Sequence, residues 1–147
     1  MNENIKTVII VSCCILAIFA SAILFDSVRA ENSRQVIELE GLSFKAPVGF
    51  EYVNNSFNIT QNETSNQTIS SLKIRQNDKI IAIEQLDSSF ENQSNDFITV
   101  NDVRIYKIFN NEMIYAFDYN GVRYQIIMME ENDSLVKDIV STFGEIK

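Results

Sequence analysis

The chain contains no histidine and no tryptophan, only four glycines and a single proline in 147 residues. Without histidine the commonest general base and metal ligand is missing, and Ser–His–Asp or Cys–His arrangements cannot form. The two cysteines, Cys13 and Cys14, are adjacent and lie inside an apolar run. The remainder therefore has no internal disulfide and no thiolate metal site, and a zinc site there would have to be built from carboxylates alone. Within the run the pair reads as small apolar filler, with S-acylation or an intermolecular bridge as the alternative. None of the glycines forms a phosphate-cradling loop or a dinucleotide fingerprint. The missing tryptophan removes the strongest sugar-stacking side chain and leaves glycoside hydrolysis by paired acids the least favoured reading. Basic runs are absent too. The net charge is −8, and Glu3 and Lys6 cancel within residues 1–25, so the rest carries all of it. Such a domain repels nucleic acid and anionic lipid headgroups.

What is present begins with Thr7–Phe25, nineteen residues without a charge. As a helix this run is about 28 Å long, close to the thickness of a hydrocarbon core. It has no polar stripe, as a buried core helix of that length would. The sequence thus divides into a short tail (1–6), a transmembrane helix (7–25), a polar stalk (26–34) and a soluble domain (35–147). Ala20-Ser21-Ala22 and Val28-Arg29-Ala30 resemble signal-peptide cleavage sites, but the apolar run exceeds a typical signal core and favours a retained, single-pass signal anchor. Ile10-Val11-Ser12-Cys13 looks like a lipobox, yet most of the run lies after that cysteine. Ile5-Lys6-Thr7 does not fit a pilin-type signal.

Two signals bear on orientation, and they differ. Lys6 precedes the run while Arg29 and Arg34 follow it, which is neutral or slightly favours the domain inside. Against that, Asn-x-Ser/Thr triplets begin at Asn54, Asn58, Asn62, Asn66, Asn92 and Asn132. Six possible N-glycosylation sites, four of them between Asn54 and Thr68, point to an extracytoplasmic cell-membrane glycoprotein. The plainer reading is that a polar stretch rich in Asn, Ser and Thr makes such triplets by accident.

The soluble part reads as α+β, an antiparallel sheet closed by a C-terminal amphipathic helix. Val36–Leu39 and Leu42–Ala46 are short strands around Gly41, and Phe50–Val53 starts a third. Asn54–Thr68 reads as a surface loop and Asp87–Asp96 as a second one. Ser71–Arg75 and Lys79–Leu86 form a hairpin. Asp102–Phe109, Glu112–Tyr119 and Val122–Met129 form a meander whose Asn120-Gly121 turn is a strong type I′ signal. With two-residue turns at both ends, Tyr106, Ile108, Met113, Tyr115, Phe117, Tyr124, Ile126 and Met128 share the core face. Lys107, Asp118, Arg123 and Gln125 then lie on a mixed outer face with Ile105, Ile114 and Ile127. The closing helix is capped by Asn132 or Asp133, ends at Gly144, and buries Leu135, Val136, Ile139, Val140 and Phe143.

Two acid clusters stand out. Glu130-Glu131-Asn132-Asp133 has oxygens for Ca²⁺ but lacks the alternating spacing and turn glycine of an EF-hand loop; acids at a helix N-terminus also serve its dipole. Glu84, Asp87 and Glu91 read as a solvated loop rim. The aromatic row Tyr106, Tyr115, Phe117 and Tyr124 reads as core, with a ligand groove as the alternative.

Gly41-Leu42-Ser43-Phe44-Lys45-Ala46-Pro47-Val48-Gly49-Phe50 resembles the G-x-x-F-x-x-P-x-G-aromatic opening of uncharacterised small membrane-anchored exported proteins of methanogenic archaea, distantly similar to the PsbP/Mog1-like group. The three hairpin strands and the segment Leu135–Phe143 resemble the close of that group. The resemblance spans about residues 35–147 and implies an α/β sandwich used for binding and assembly, with no catalytic residues and no cofactor. The expectation is a non-enzymatic, membrane-tethered extracytoplasmic binding or assembly module, touching the bilayer through its helix and not binding nucleic acid. A structural subunit of a surface filament or envelope layer is the alternative; a carboxylate-only hydrolase is the third reading.

Overall fold

The computed structural model describes residues 2–87 and 94–145. The chain divides into two compact units, residues 1–34 and 35–147. The first is one helix, α1 (Glu3–Asn32). It runs on through the residues expected to form a stalk. Nothing in Asp26–Asn32 breaks a helix, there being no Pro or Gly, and extending an existing helix needs no new nucleus. Its 30 residues span about 45 Å at 1.5 Å each. None of its most apolar window is buried.

The second unit opens with β1 (Val36–Leu39) and β2 (Leu42–Lys45), then β3 (Glu51–Tyr52), β4 (Asn58–Asn62), β5 (Gln67–Gln76) and β6 (Lys79–Leu86). β7 (Phe97–Val100), β8 (Val103–Asn110), β9 (Glu112–Tyr119) and β10 (Val122–Met128) follow, then helix α2 (Asp133–Ser141) and β11 (Gly144–Glu145). A large antiparallel sheet of eight strands runs β3-β5-β6-β10-β9-β8-β7, with β4 also pairing with β5. A small sheet runs β1-β2-β11. Phe44, Leu72, Ile83, Tyr115, Phe117 and Ile126 are among the buried residues between the large sheet, the small sheet and α2. Val136, Ile139 and Val140 are the buried face of α2. Phe143 completes the core with its ring 5.4–5.9 Å from those of Phe44, Phe117, Tyr119 and Tyr124.

Turn chemistry sets the registers. Asn120 (φ 50°) and Gly121 (φ 79°) form the type I′ turn expected, placing Tyr119 opposite Val122 and Asp118 opposite Arg123. Pro47 accepts a hydrogen bond from the Phe50 N–H at 2.9 Å across Gly49. Gly49 has φ +83°, and a side chain there would collide with Gln76.

Three sequence expectations need correction, and one strand lies where the sequence reading assigns no element. The β8–β9 turn is built on Asn111 alone (φ 61°), so Phe109 faces Met113 and Lys107 faces Tyr115. A two-residue I′ turn needs positive φ twice, which Asn-Gly supplies more readily than Asn-Asn. The shift of one residue turns β8 over. Ile105 and Lys107 join the core face, and Tyr106 and Ile108 leave it. Secondly, Asn54–Thr68 is not a plain loop: β4 and the start of β5 form a hairpin through it, with every residue of β4 exposed. The unassigned strand is Phe97–Val100, joined to β8 by a turn with positive φ at both Asn101 and Asp102. Lastly, Gly144 does not end α2. Thr142 is its C-cap, and Gly144 pairs with Ser43 in the small sheet.

Candidate functional site

The acid cluster before α2 is organised around a lysine. Asn132 caps the helix, its Oδ1 accepting from the Leu135 N–H at 3.0 Å. The turned-over β8 brings Lys107 to this helix end. Its Nζ donates to Glu131 Oε1 at 2.7 Å and lies 3.5 Å from Asp133 Oδ2 and 3.3 Å from Asp96 Oδ2. The buried Tyr115 donates to Asp133 Oδ1 and accepts from the Asn132 N–H, both at 2.9 Å. Hydrogen bonding to Glu131 holds the Lys107 ammonium firmly protonated. Burial, then the bond to Asp133, pushes the Tyr115 phenol up to about 12. Glu131 and Asp133 thus meet a cation instead of converging on an empty point. Among the described residues no group of three or more acids and cysteines is placed to hold a metal ion. The network ties β8 and β9 to the start of α2, a positioning role.

The aromatic row splits. Tyr115, Phe117 and Tyr124 are buried, with the Phe117 and Tyr124 rings stacked at 5.9 Å, whereas Tyr106 faces outward beside Phe97 at 6.0 Å. Burial, and then Tyr119, raise the Tyr124 phenol. Of the second acid group, Glu84 sits on the outer face of β6. Burial first, then Glu112, raise its carboxyl. Asp87 is exposed at the end of that strand, and Glu91 lies outside the described residues.

Five of the triplet asparagines, Asn54, Asn58, Asn62, Asn66 and Asn132, are exposed; Asn92 lies outside the described residues. Asn58 Nδ2 donates to Thr60 Oγ1 of its own triplet at 3.1 Å. Asn62 is committed to its turn, accepting from the Thr64 and Ser65 N–H groups at 3.0 and 3.4 Å.

Two clefts are found among the described residues of the sheet domain. One, of about 220 Å³, has Phe50, Ile81, Met128 and Leu135 among its lining, with Asp78 and Glu130 adding acid. The other, a shallower groove of about 520 Å³ along β1, includes Val36, Glu38, Tyr52 and Phe57. Lys79 and Glu131 also belong to the lining of the first.

The outer face of the large sheet is the surface that sequence reasoning underestimated. Cross-strand pairing lines up Ala82, Ile127, Ile114 and Ile108, with Ala116, Tyr106 and Phe97 in the next row. A two-residue β8–β9 turn would point Ile108 and Tyr106 inward, which hides this row from the sequence.

Fold and surfaces together define the class: a long apolar N-terminal helix followed by an antiparallel β-sheet domain with a C-terminal helix. No protein-family model matches the chain, and neither a curated protein nor a solved structure matches it.

Proposed function

We propose that the chain is a single-pass, membrane-tethered binding or assembly module, with α1 as a retained signal anchor and the sheet domain outside the cytoplasm. The observation that carries this reading is α1 itself. It is long enough to cross a bilayer, its mean hydropathy reaches 2.9, and nothing buries it. An unburied apolar surface of that extent needs lipid. The outside placement rests on the exposed triplet asparagines of the β4–β5 hairpin. The domain acts through its surface and not by catalysis, a reading supported by the missing histidine and by acids engaged with Lys107. The PsbP-like resemblance fits the same role, because its motif residues are structural: Gly41 and Gly49 take positive φ, and Phe44 and Phe50 are buried.

Membrane fractionation of the full chain in an N-glycosylating host tests this. The chain should resist carbonate extraction, keep its N-terminal mass, lose mass with endoglycosidase and be digested by protease added to intact cells. A mature N-terminus after Ala22 or Ala30 would remove the tether, and full protection from protease would place the domain inside.

A further inference from the structure

The outer face of the large sheet lacks the partner that its composition calls for. None of Ile69, Tyr106, Ile108, Ile114 or Ile127 belongs to the core or packs against it. All five are half-buried, and Phe97 is 43 % and Ile80 49 % exposed. Among the described residues one corner is closed, where Leu86, Ala116 and Arg123 are buried and Arg123 pairs with Asp118. Among the described residues of the sheet domain no helix or strand packs over the rest.

Charge selects the occupant. The chain carries −8, and the charges of residues 1–34 cancel, so the sheet domain holds all of it. Among the described residues the outer face contributes none. Register places Lys73, Arg75, Arg104 and Arg123 there. Glu51, Glu84, Glu112 and Asp118 oppose them on the same face. Two copies of so acidic a domain repel wherever their other surfaces meet, but not across this one. A strongly charged surface patch of either sign would find no complementary field on this face. The size fits as well. Strands about 4.8 Å apart, with same-face residues about 6.8 Å apart along each, give six strands and three rows a footprint of roughly 29 by 20 Å. Side-chain relief brings that flat area toward the roughly 800 Å² per partner of a standard interface.

We infer that a second copy of this chain packs on the outer face, sheet against sheet about a two-fold axis, with the Ala82–Ile127–Ile114–Ile108 row at its centre. Such an isologous contact is self-complementary and closes at two copies. The two sheets would then enclose a second apolar layer, as in a β-sandwich.

The test uses the full chain in detergent, with its mass measured by sedimentation and light scattering after subtraction of bound detergent. Two copies are expected at tens of micromolar. Ile114→Glu and Ile127→Glu should weaken association at least tenfold. Phe97→Glu, at an exposed position that cannot disturb the core, should weaken it as well while leaving the thermal melt intact. Phe109→Glu, at a site 73 % exposed on the opposite face, should leave the dimer unchanged. A single copy in the wild type overturns the inference, including the case where a different protein is found cross-linked to this face. So does a dimer that survives all three outer-face changes, since the contact would then lie in α1. Loss of the dimer in Phe109→Glu would overturn it equally. None of these outcomes bears on whether α1 holds the chain in a membrane.

Discussion

At the scale of single residues the most informative side chains are those whose surroundings disagree with their chemistry. Glu84 is a carboxylate on a half-buried, largely apolar sheet face, opposite Ser71 and Gln125. Burial raises its pKa, and Glu112 adds to the shift. A carboxyl whose folded pKa lies above its unfolded value is disfavoured in the ionised state, so folding gains stability as pH falls through that range and is penalised above it. Glu84→Gln should therefore be more stable than the wild type at pH 7, by a few tenths of a kcal/mol once solvent screening of a half-exposed group is allowed for. Near pH 4 and below the difference should vanish. Urea unfolding at several pH values checks this, and equal stability at pH 7 would show that Glu84 is well solvated. Lys107 makes the complementary point: a residue that composition assigns to a solvated face is held inward by three acids.

At the scale of elements, local turn and cap chemistry fixes which faces meet. Asn132 satisfies the first turn of α2 through Leu135, and the same loop receives Tyr115 and Lys107. Asn132→Ala should lower stability by about 1 kcal/mol, the usual worth of such a cap, as a fall in urea midpoint without a change in slope. The elements that obeyed a strong local rule were legible in the sequence. The Asn120-Gly121 hairpin and its register followed from the turn, and the Val136–Ile139–Val140 stripe from helical spacing. What could not be read depended on a choice that the residues leave open. Asn110-Asn111 accommodates either a one-residue or a two-residue tight turn, and that choice moved Lys107 into the acid cluster and Tyr106 to the outer face. The β4–β5 hairpin was hidden for a different reason. Each residue of β4 is exposed, so no alternation of apolar and polar side chains announces the strand.

At the scale of the whole molecule, the two units differ in how they bury their apolar side chains. The core of the sheet domain runs from Ile37 to Val140, with Phe143 packed against it. α1 in turn depends on its surroundings for the burial of its apolar side chains. The division predicts that residues 35–147 alone are water-soluble and unfold in one cooperative step, since a domain of this size with a single core is usually two-state. Their thermal midpoint should lie within a few degrees of that of the full chain in mild detergent, because removing α1 takes no side chain out of the core. Scanning calorimetry or far-UV circular dichroism of both forms provides the measurement. The comparison should be made with Phe97→Glu in both, so that association through the outer face does not add concentration-dependent stability to either. A fall of ten degrees or more on removal of residues 1–34 would mean that the helix belongs to the folding unit, and the description of α1 as a tether would have to give way to one in which it is part of the domain.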